Sequence, residues 1–145
     1  MELTEKLETG NLIIYSDGGS RGNPGPAACG AVVFEASGKE LQRLSRTIGI
    51  TTNNQAEYQA LEMALKWVKE SGFDKGITCR LDSELVVKQL NGEYKMKNMD
   101  LKTWFYKVKE LVVELGGSVW FEHIPREKNK IADYLVNEAL DASGN

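Results

Sequence analysis

The hydrophobic pattern of this chain first changes period close to residue 52, and that change limits the architectures open to it. Before that point, short β-branched and aromatic runs alternate with glycine-rich breaks: LIIYS at 12–16, ACGAVVF at 28–34 and LQRLSRTIGI at 41–50, separated by DGGSRGNPGP and by ASGK. Such runs joined by glycine turns predict three antiparallel strands in a meander. Beyond it, Leu61, Ala64, Leu65 and Val68 fall at helical spacing, so a helix is predicted over 55–70, with TTNN supplying its cap. The rest alternates: strand 77–81, helix 84–90 capped by Ser83, helix 100–115 stopped by Gly116 and Gly117, strand 118–124, and a closing helix over 130–141 with Ile131, Leu135 and Ala139 on one stripe. A meander followed by βα alternation implies an α/β layer architecture, a mixed sheet covered by helices.

A chain of 145 residues has room for one such domain. We divide it into a polar N-terminal extension at 1–10, a folded domain at 11–142 and a tail at 143–145. No apolar run approaches the roughly 18 residues of a membrane span, and the opening MELTEKLETG lacks the character of a signal peptide, so a cytoplasmic protein with no membrane partner is expected. Cys29 and Cys79 each sit in an apolar run and read as reduced core residues. His123 is the sole histidine, which leaves oxygen as the ligand type for any metal. The net charge of −3 argues weakly against nucleic acid, until the acids are located.

Those acids are informative. Asp17 and Asp82 each follow a predicted strand, and in open α/β sheets ligand crevices form at the carboxyl ends of strands. Glu57 shares a helical stripe with Leu61 and Ala64, which aims it at the core; Asp133 lines up with Val136 and Leu140 on the flank of the last helix. Taken singly, each has an ordinary use, as a helix cap or as a complement to a helix dipole. Taken together, four inward acids repel unless cations hold them, and with no histidine or thiolate cluster the natural cation is a hard one such as Mg²⁺.

The segments around these acids are specific. SDGGSRGNPGPAACGAVV (16–33), TTNNQAEYQALEMAL (51–65), LDSELVVKQL (81–90) and NKIADYLVNEAL (129–140) together resemble the type 1 ribonuclease H family, in order and over about residues 11–142. The resemblance implies a ribonuclease H-like fold: a five-stranded mixed sheet, three antiparallel strands then two parallel, flanked by helices. It implies an endonuclease that hydrolyses the RNA strand of RNA/DNA hybrids with two metal ions, leaving 5′-phosphate and 3′-hydroxyl ends. The family's metal-binding carboxylates match Asp17, Glu57, Asp82 and Asp133, and the implied cofactor is two Mg²⁺ ions with substrate, Mn²⁺ being an alternative. Its readers of the RNA strand match Asn23, Asn53 and Asn54, with a backbone contact at Gly18 and Gly19. The expected partner is RNA/DNA hybrid duplex, bound by a monomer.

The chain departs from the family pattern in places. The loop before the last helix is the short PREKN, without a histidine, and His123 lies within the preceding strand. Arg126 is therefore expected to act there electrostatically, since a guanidinium with a pKa above about 12 cannot shuttle protons at neutral pH. There is no long basic handle after the third segment, and Glu84 follows the Asp-Ser pair where some members have glutamine. Lysines 88, 95, 97, 102, 107 and 109 offer a patch for the second strand, or else a solvated helix face. The rival functions are a related-fold nuclease or strand transferase acting on other duplexes, and a non-catalytic hybrid-binding module; the second predicts the loss of a metal acid, and none is lost.

Overall fold

The computed structural model describes residues 11–73 and 75–144; the extension read at 1–10 and the final tail residue lie outside the described residues. A five-stranded sheet runs in the order β3-β2-β1-β4-β5. Its strands are β1 (Leu12–Ser20), β2 (Gly25–Glu35), β3 (Glu40–Thr51), β4 (Ile77–Leu81) and β5 (Val119–His123). Among the described residues four α-helices accompany it: α1 (Asn53–Glu70), α2 (Glu84–Leu90), α3 (Met99–Glu114) and α4 (Lys130–Ala142). The first three strands pair antiparallel, and β4 pairs parallel with both β1 and β5. This is the mixed sheet that the change of period predicts.

The differences lie at the element ends. β1 continues past Ser16, because Gly18, Gly19 and Ser20 pair with Cys29, Ala28 and Ala27 of β2, so Asp17 sits within the strand and not after it. The glycine-rich loop shrinks to 21–24. Helix α1 starts at Asn53 because the Thr52 hydroxyl accepts from the Gln55 N–H and closes the first turn there. The PREKN loop contains a 3₁₀ turn, Arg126–Lys128.

Successive residues of a strand point to opposite faces. A Cβ on Gly18 would collide with the Ala56 backbone of α1, while a Cβ on Gly19 would lie 3.6 Å from Val136 Cγ1 of α4, so the two helices cover opposite faces of β1. On the α1 face, Leu12, Ile14, Cys29 and Ala31 meet Leu61, Leu65 and Val68, and Val108 and Leu111 of α3 close the main core behind them. Tyr58, fully buried there, donates its hydroxyl to Gln89 Oε1 at 2.6 Å, which ties α1 to α2. Cys29 and Cys79 are buried and free, and burial pushes the Cys29 thiol up to about 12. On the other face α4 packs through Val136 and Leu140 onto Ala28.

Three of the lysines of 88–109 have neighbours of their own within the protein. Lys109 turns inward and donates to the Leu90 carbonyl at the end of α2 (2.7 Å), Lys107 lies 4.3 Å from the centre of the Trp104 ring, and Lys88 pairs with Glu84. Trp104 is half-buried against the core, the ordinary use of such a residue.

Gly30 fixes how near α4 comes to the sheet. A Cβ there would lie 2.6 Å from the Ala132 carbonyl oxygen and 2.8 Å from Leu135 Cβ, so the backbone of α4 occupies the space of a methyl group. Gly30→Ala is expected to cost about 1–3 kcal/mol through displacement of α4, seen as a lower denaturant midpoint at unchanged m-value. An unchanged midpoint would mean that the helix yields freely at this contact.

Candidate active site

Three elements bring their acids together at the carboxyl ends of β1 and β4. The parallel ladder between these strands ends at Tyr15 and Arg80, and past it the strands part around a cleft of about 420 Å³. This is the place where the chain order reverses across the sheet, β2 leaving β1 on one side and β4 lying on the other. Asp17 enters the cleft from β1, Asp82 from the residue after β4, and Glu57 from the second turn of α1. One carboxylate oxygen from each lies within 4.8 Å of the other two. Asp133, half-buried on α4, lines the same cleft from the opposite face but stands outside this closest group among the described residues.

The Gly18 N–H lies between two of the acids, donating to Glu57 Oε1 at 2.8 Å and to Asp17 Oδ1 at 3.0 Å. One backbone donor thus serves two carboxylates that otherwise repel. Burial, then the charges of Asp82 and Asp133, push the Asp17 carboxyl up to about 7, against the opposing pull of the Gly18 N–H and Arg126. Glu57 is raised well above the ordinary carboxylate range, by burial first and then by Asp17 and Asp82. Asp82 is raised by burial, with Arg126 opposing. The donor set is all carboxylate oxygen, gathered in a crevice where its charge is poorly solvated, and that suits a hard divalent cation held by Asp17, Glu57 and Asp82.

The rim is made of amides. Asn53 and Asn54 line the cleft beside Gly18 and Gly19. Asn53 Oδ1 already accepts from the Ser20 N–H (2.8 Å) and hydroxyl (3.1 Å), which leaves its Nδ2 hydrogens for a ligand. Asn23 lies outside the cleft lining, and its Oδ1 accepts from the Asn53 N–H at 2.9 Å. Arg126 does reach the cleft, and its charge acts on both Asp17 and Asp82. His123 ends β5 in register with Leu81, exposed, and close enough for its charge to act on Asp82. The sequence reading missed Asn137 and Arg21. Asn137 follows Asp133 by one helical turn, a spacing that would have found it, and its side chain donates to the Asp133 carbonyl at 3.0 Å. Arg21 lines the cleft too, held by Asn137 Oδ1 at 3.3 Å and by Asp141 at 2.8 Å.

Comparison with known proteins bears on the fold and the family. Residues 15–139 match the family described as Reverse transcriptase-like, which gives the class. The chain is 46% identical to Ribonuclease HI of Halobacterium salinarum over 133 residues, 91% of this chain and 65% of that protein. It is 39% identical to Bifunctional protein Rv2228c of Mycobacterium tuberculosis, covering 36% of it, so the chain spans at most about two thirds of these relatives' length. The solved structure of LC11-RNase H1 in complex with RNA/DNA hybrid is similar at a TM-score of 0.89 and 47% identity, over 92% of this chain and 99% of that one. Within the reverse transcriptase-like class, the chain belongs to the type 1 ribonuclease H family.

The raised Asp17 carboxyl has a consequence for metal-free stability. Its folded-state pKa lies above the unfolded one, so its contribution is present below about pH 4 and is lost as pH rises through about 7. The melting temperature of the metal-free protein should therefore fall between about pH 4 and pH 7. Asp17→Asn should flatten that fall, and a divalent cation added at pH 8 should reverse it. Equal slopes for wild type and Asp17→Asn in calorimetric melts would contradict the cost of charging assigned to this buried carboxylate.

Proposed function

We propose that this chain is a ribonuclease H, an endonuclease that hydrolyses the RNA strand of RNA/DNA hybrids and leaves 5′-phosphate and 3′-hydroxyl ends. The observation that carries the reading is the gathering of Asp17, Glu57 and Asp82 oxygens within 4.8 Å beside a rim of asparagine amides. We assign the catalytic unit to residues 11–142, acting as a monomer.

Asp17, Glu57, Asp82 and Asp133 hold two Mg²⁺ ions, with Mn²⁺ able to replace them. When bound, the ions supply Lewis acidity toward the attacking water and the departing 3′-oxygen. The protein's own part is positioning. The bare backbone at Gly18 and Gly19 lets a nucleic acid strand come close. Asn53 offers its two Nδ2 hydrogens to an acceptor such as a 2′-hydroxyl, the group that distinguishes RNA from DNA, and Asn54 offers a full amide. Asn23 reads the same strand and braces the Asn53 backbone. Arg126 supplies a fixed positive charge toward the scissile phosphate or its neighbour, and bidentate hydrogen bonds suit that role.

The reading is tested by incubating labelled RNA/DNA hybrid, RNA duplex and DNA duplex with the protein, with and without Mg²⁺. Cutting of the RNA strand of the hybrid, dependent on the ion, is expected; preference for either homoduplex would overturn it. Asp17→Asn and Asp82→Asn should each lower hydrolysis by several orders of magnitude in a folded protein. Asn54→Ala should weaken hybrid binding while leaving Mg²⁺ affinity unchanged.

Arg126→Ala should lower turnover roughly tenfold without adding or removing an inflection near neutral pH, and His123→Ala should change little. Loss of most activity in the histidine variant alone would exchange the two roles.

A further inference from the structure

Three of the four α-helices among the described residues begin with a side chain that accepts from the helix's own N–H groups: Thr52, Ser83 and Asn98 do this for α1, α2 and α3. The fourth does not. Asn129 stands at the same position of α4 and is of a residue type well suited to capping, yet it makes no side-chain cap bond. Its Nδ2 instead donates to the Ser16 carbonyl of β1 at 2.9 Å. Asn129 is 1% exposed, and its Oδ1 has no partner among the described residues. A buried acceptor left unpaired and a cap forgone both work against stability, and local rules are broken most often where function demands it.

The position of that one bond explains the departure. Ser16 comes immediately before Asp17 and immediately after Tyr15, where the ladder between β1 and β4 ends. The Asn129 amide takes the first strand carbonyl past that ladder, so it stands as a wedge at the root of the opening between the two strands. Its backbone is equally committed: its N–H donates to the Arg126 carbonyl (2.9 Å), and its carbonyl accepts from the Asp133 N–H (3.1 Å). One buried residue is therefore one hydrogen bond from the backbone beside Asp17, one from Arg126 and one from Asp133.

We propose that Asn129 is a positioning residue that sets the separation between Asp133 on α4 and the carboxylates of β1 and β4, and so sets the cation affinity of the cleft. This rests on the reading of Asp17, Glu57, Asp82 and Asp133 as metal ligands. Asn129→Ser is the informative variant, because serine caps a helix as well as asparagine but is too short to reach Ser16. It should preserve or improve the melting temperature while weakening Mn²⁺ binding about tenfold, the loss typical when a group orienting a metal ligand is removed. Asn129→Ala should weaken binding as much and melt lower. Val108→Ala, which opens the core beneath α3, serves as a control: it should melt lower with Mn²⁺ affinity within about twofold of wild type.

Affinity is measured by titration calorimetry with Mn²⁺ alone, without substrate, at a temperature where circular dichroism shows each variant folded. Wild-type affinity in both Asn129 variants would overturn the proposal. So would an equal loss in Val108→Ala, which would make the effect one of general stability. Failure of the wild-type protein itself to bind Mn²⁺ would overturn the metal-ligand reading on which the proposal stands, a distinct result.

Discussion

Burial of several carboxylates in one poorly solvated crevice, with their mutual repulsion added to it, is the constraint around which this molecule is arranged. Each unit by which a carboxyl pKa is raised corresponds to about 1.4 kcal/mol of differential cost to the charged form, so a group pushed up as far as Asp17 opposes folding at neutral pH by a few kcal/mol. The rest of the fold must hold these groups in place against that force. It does so with backbone, which cannot swing away as a side chain can. The Gly18 N–H is shared by Asp17 and Glu57, and the missing Cβ of Gly18 is what allows α1 to come close enough for Glu57 to take it. Gly30, paired with Asp17 across the ladder, does the corresponding work on the other face, admitting the backbone of α4 and with it Asp133. The paired strands are thereby gripped between two helices at backbone contact, β1 by α1 at Gly18 and β2 by α4 at Gly30, and the main core anchors α1.

Much of this was legible in the sequence because periodicity reports which way a residue points. Glu57 belongs to the same stripe as Leu61 and Ala64, and it is as buried as that alignment requires. The element order and the mixed sheet followed from strand runs and helical spacing for the same reason. What the sequence hid was whatever depends on a partner far along the chain. Proline and glycine in DGGSRGNPGP read as a loop, yet Gly18 to Ser20 continue β1 because Ala27 to Cys29 are there to pair with them. Gly30 gave no signal beyond a glycine in a strand, since its meaning resides in residues 132–136. The lysines of 88–109 were a matter of composition until Lys109 was found to end the carbonyl row of α2. Asn129 was one residue of a loop, and only the position of Ser16 shows what it holds.

The cleft is chemically mixed, and this removes the force of the acidic net charge as an argument against nucleic acid. Its acids have their charge suppressed by burial or suited to a cation, and among them stand neutral amides and the guanidinium groups of Arg126 and Arg21. Of the net −3, much is thus concentrated where a divalent ion would cancel it. A phosphate chain entering the cleft would meet hydrogen-bond donors beside the acids and, with divalent ions in place, little excess of negative charge.

The cleft also draws its walls from nearly the full described length, from Asp17 in the first strand to Leu140 in the last helix. No contiguous part of the chain contains it, and α4, which contributes Asp133, is the last element in sequence. During synthesis on the ribosome the strands and α1 emerge first, but the acidic crevice is incomplete until residues 130–142 have left the exit tunnel and settled against Gly30. Until then the cleft has three of its four acids and lacks the wall that Asp133, Val136, Asn137 and Leu140 supply.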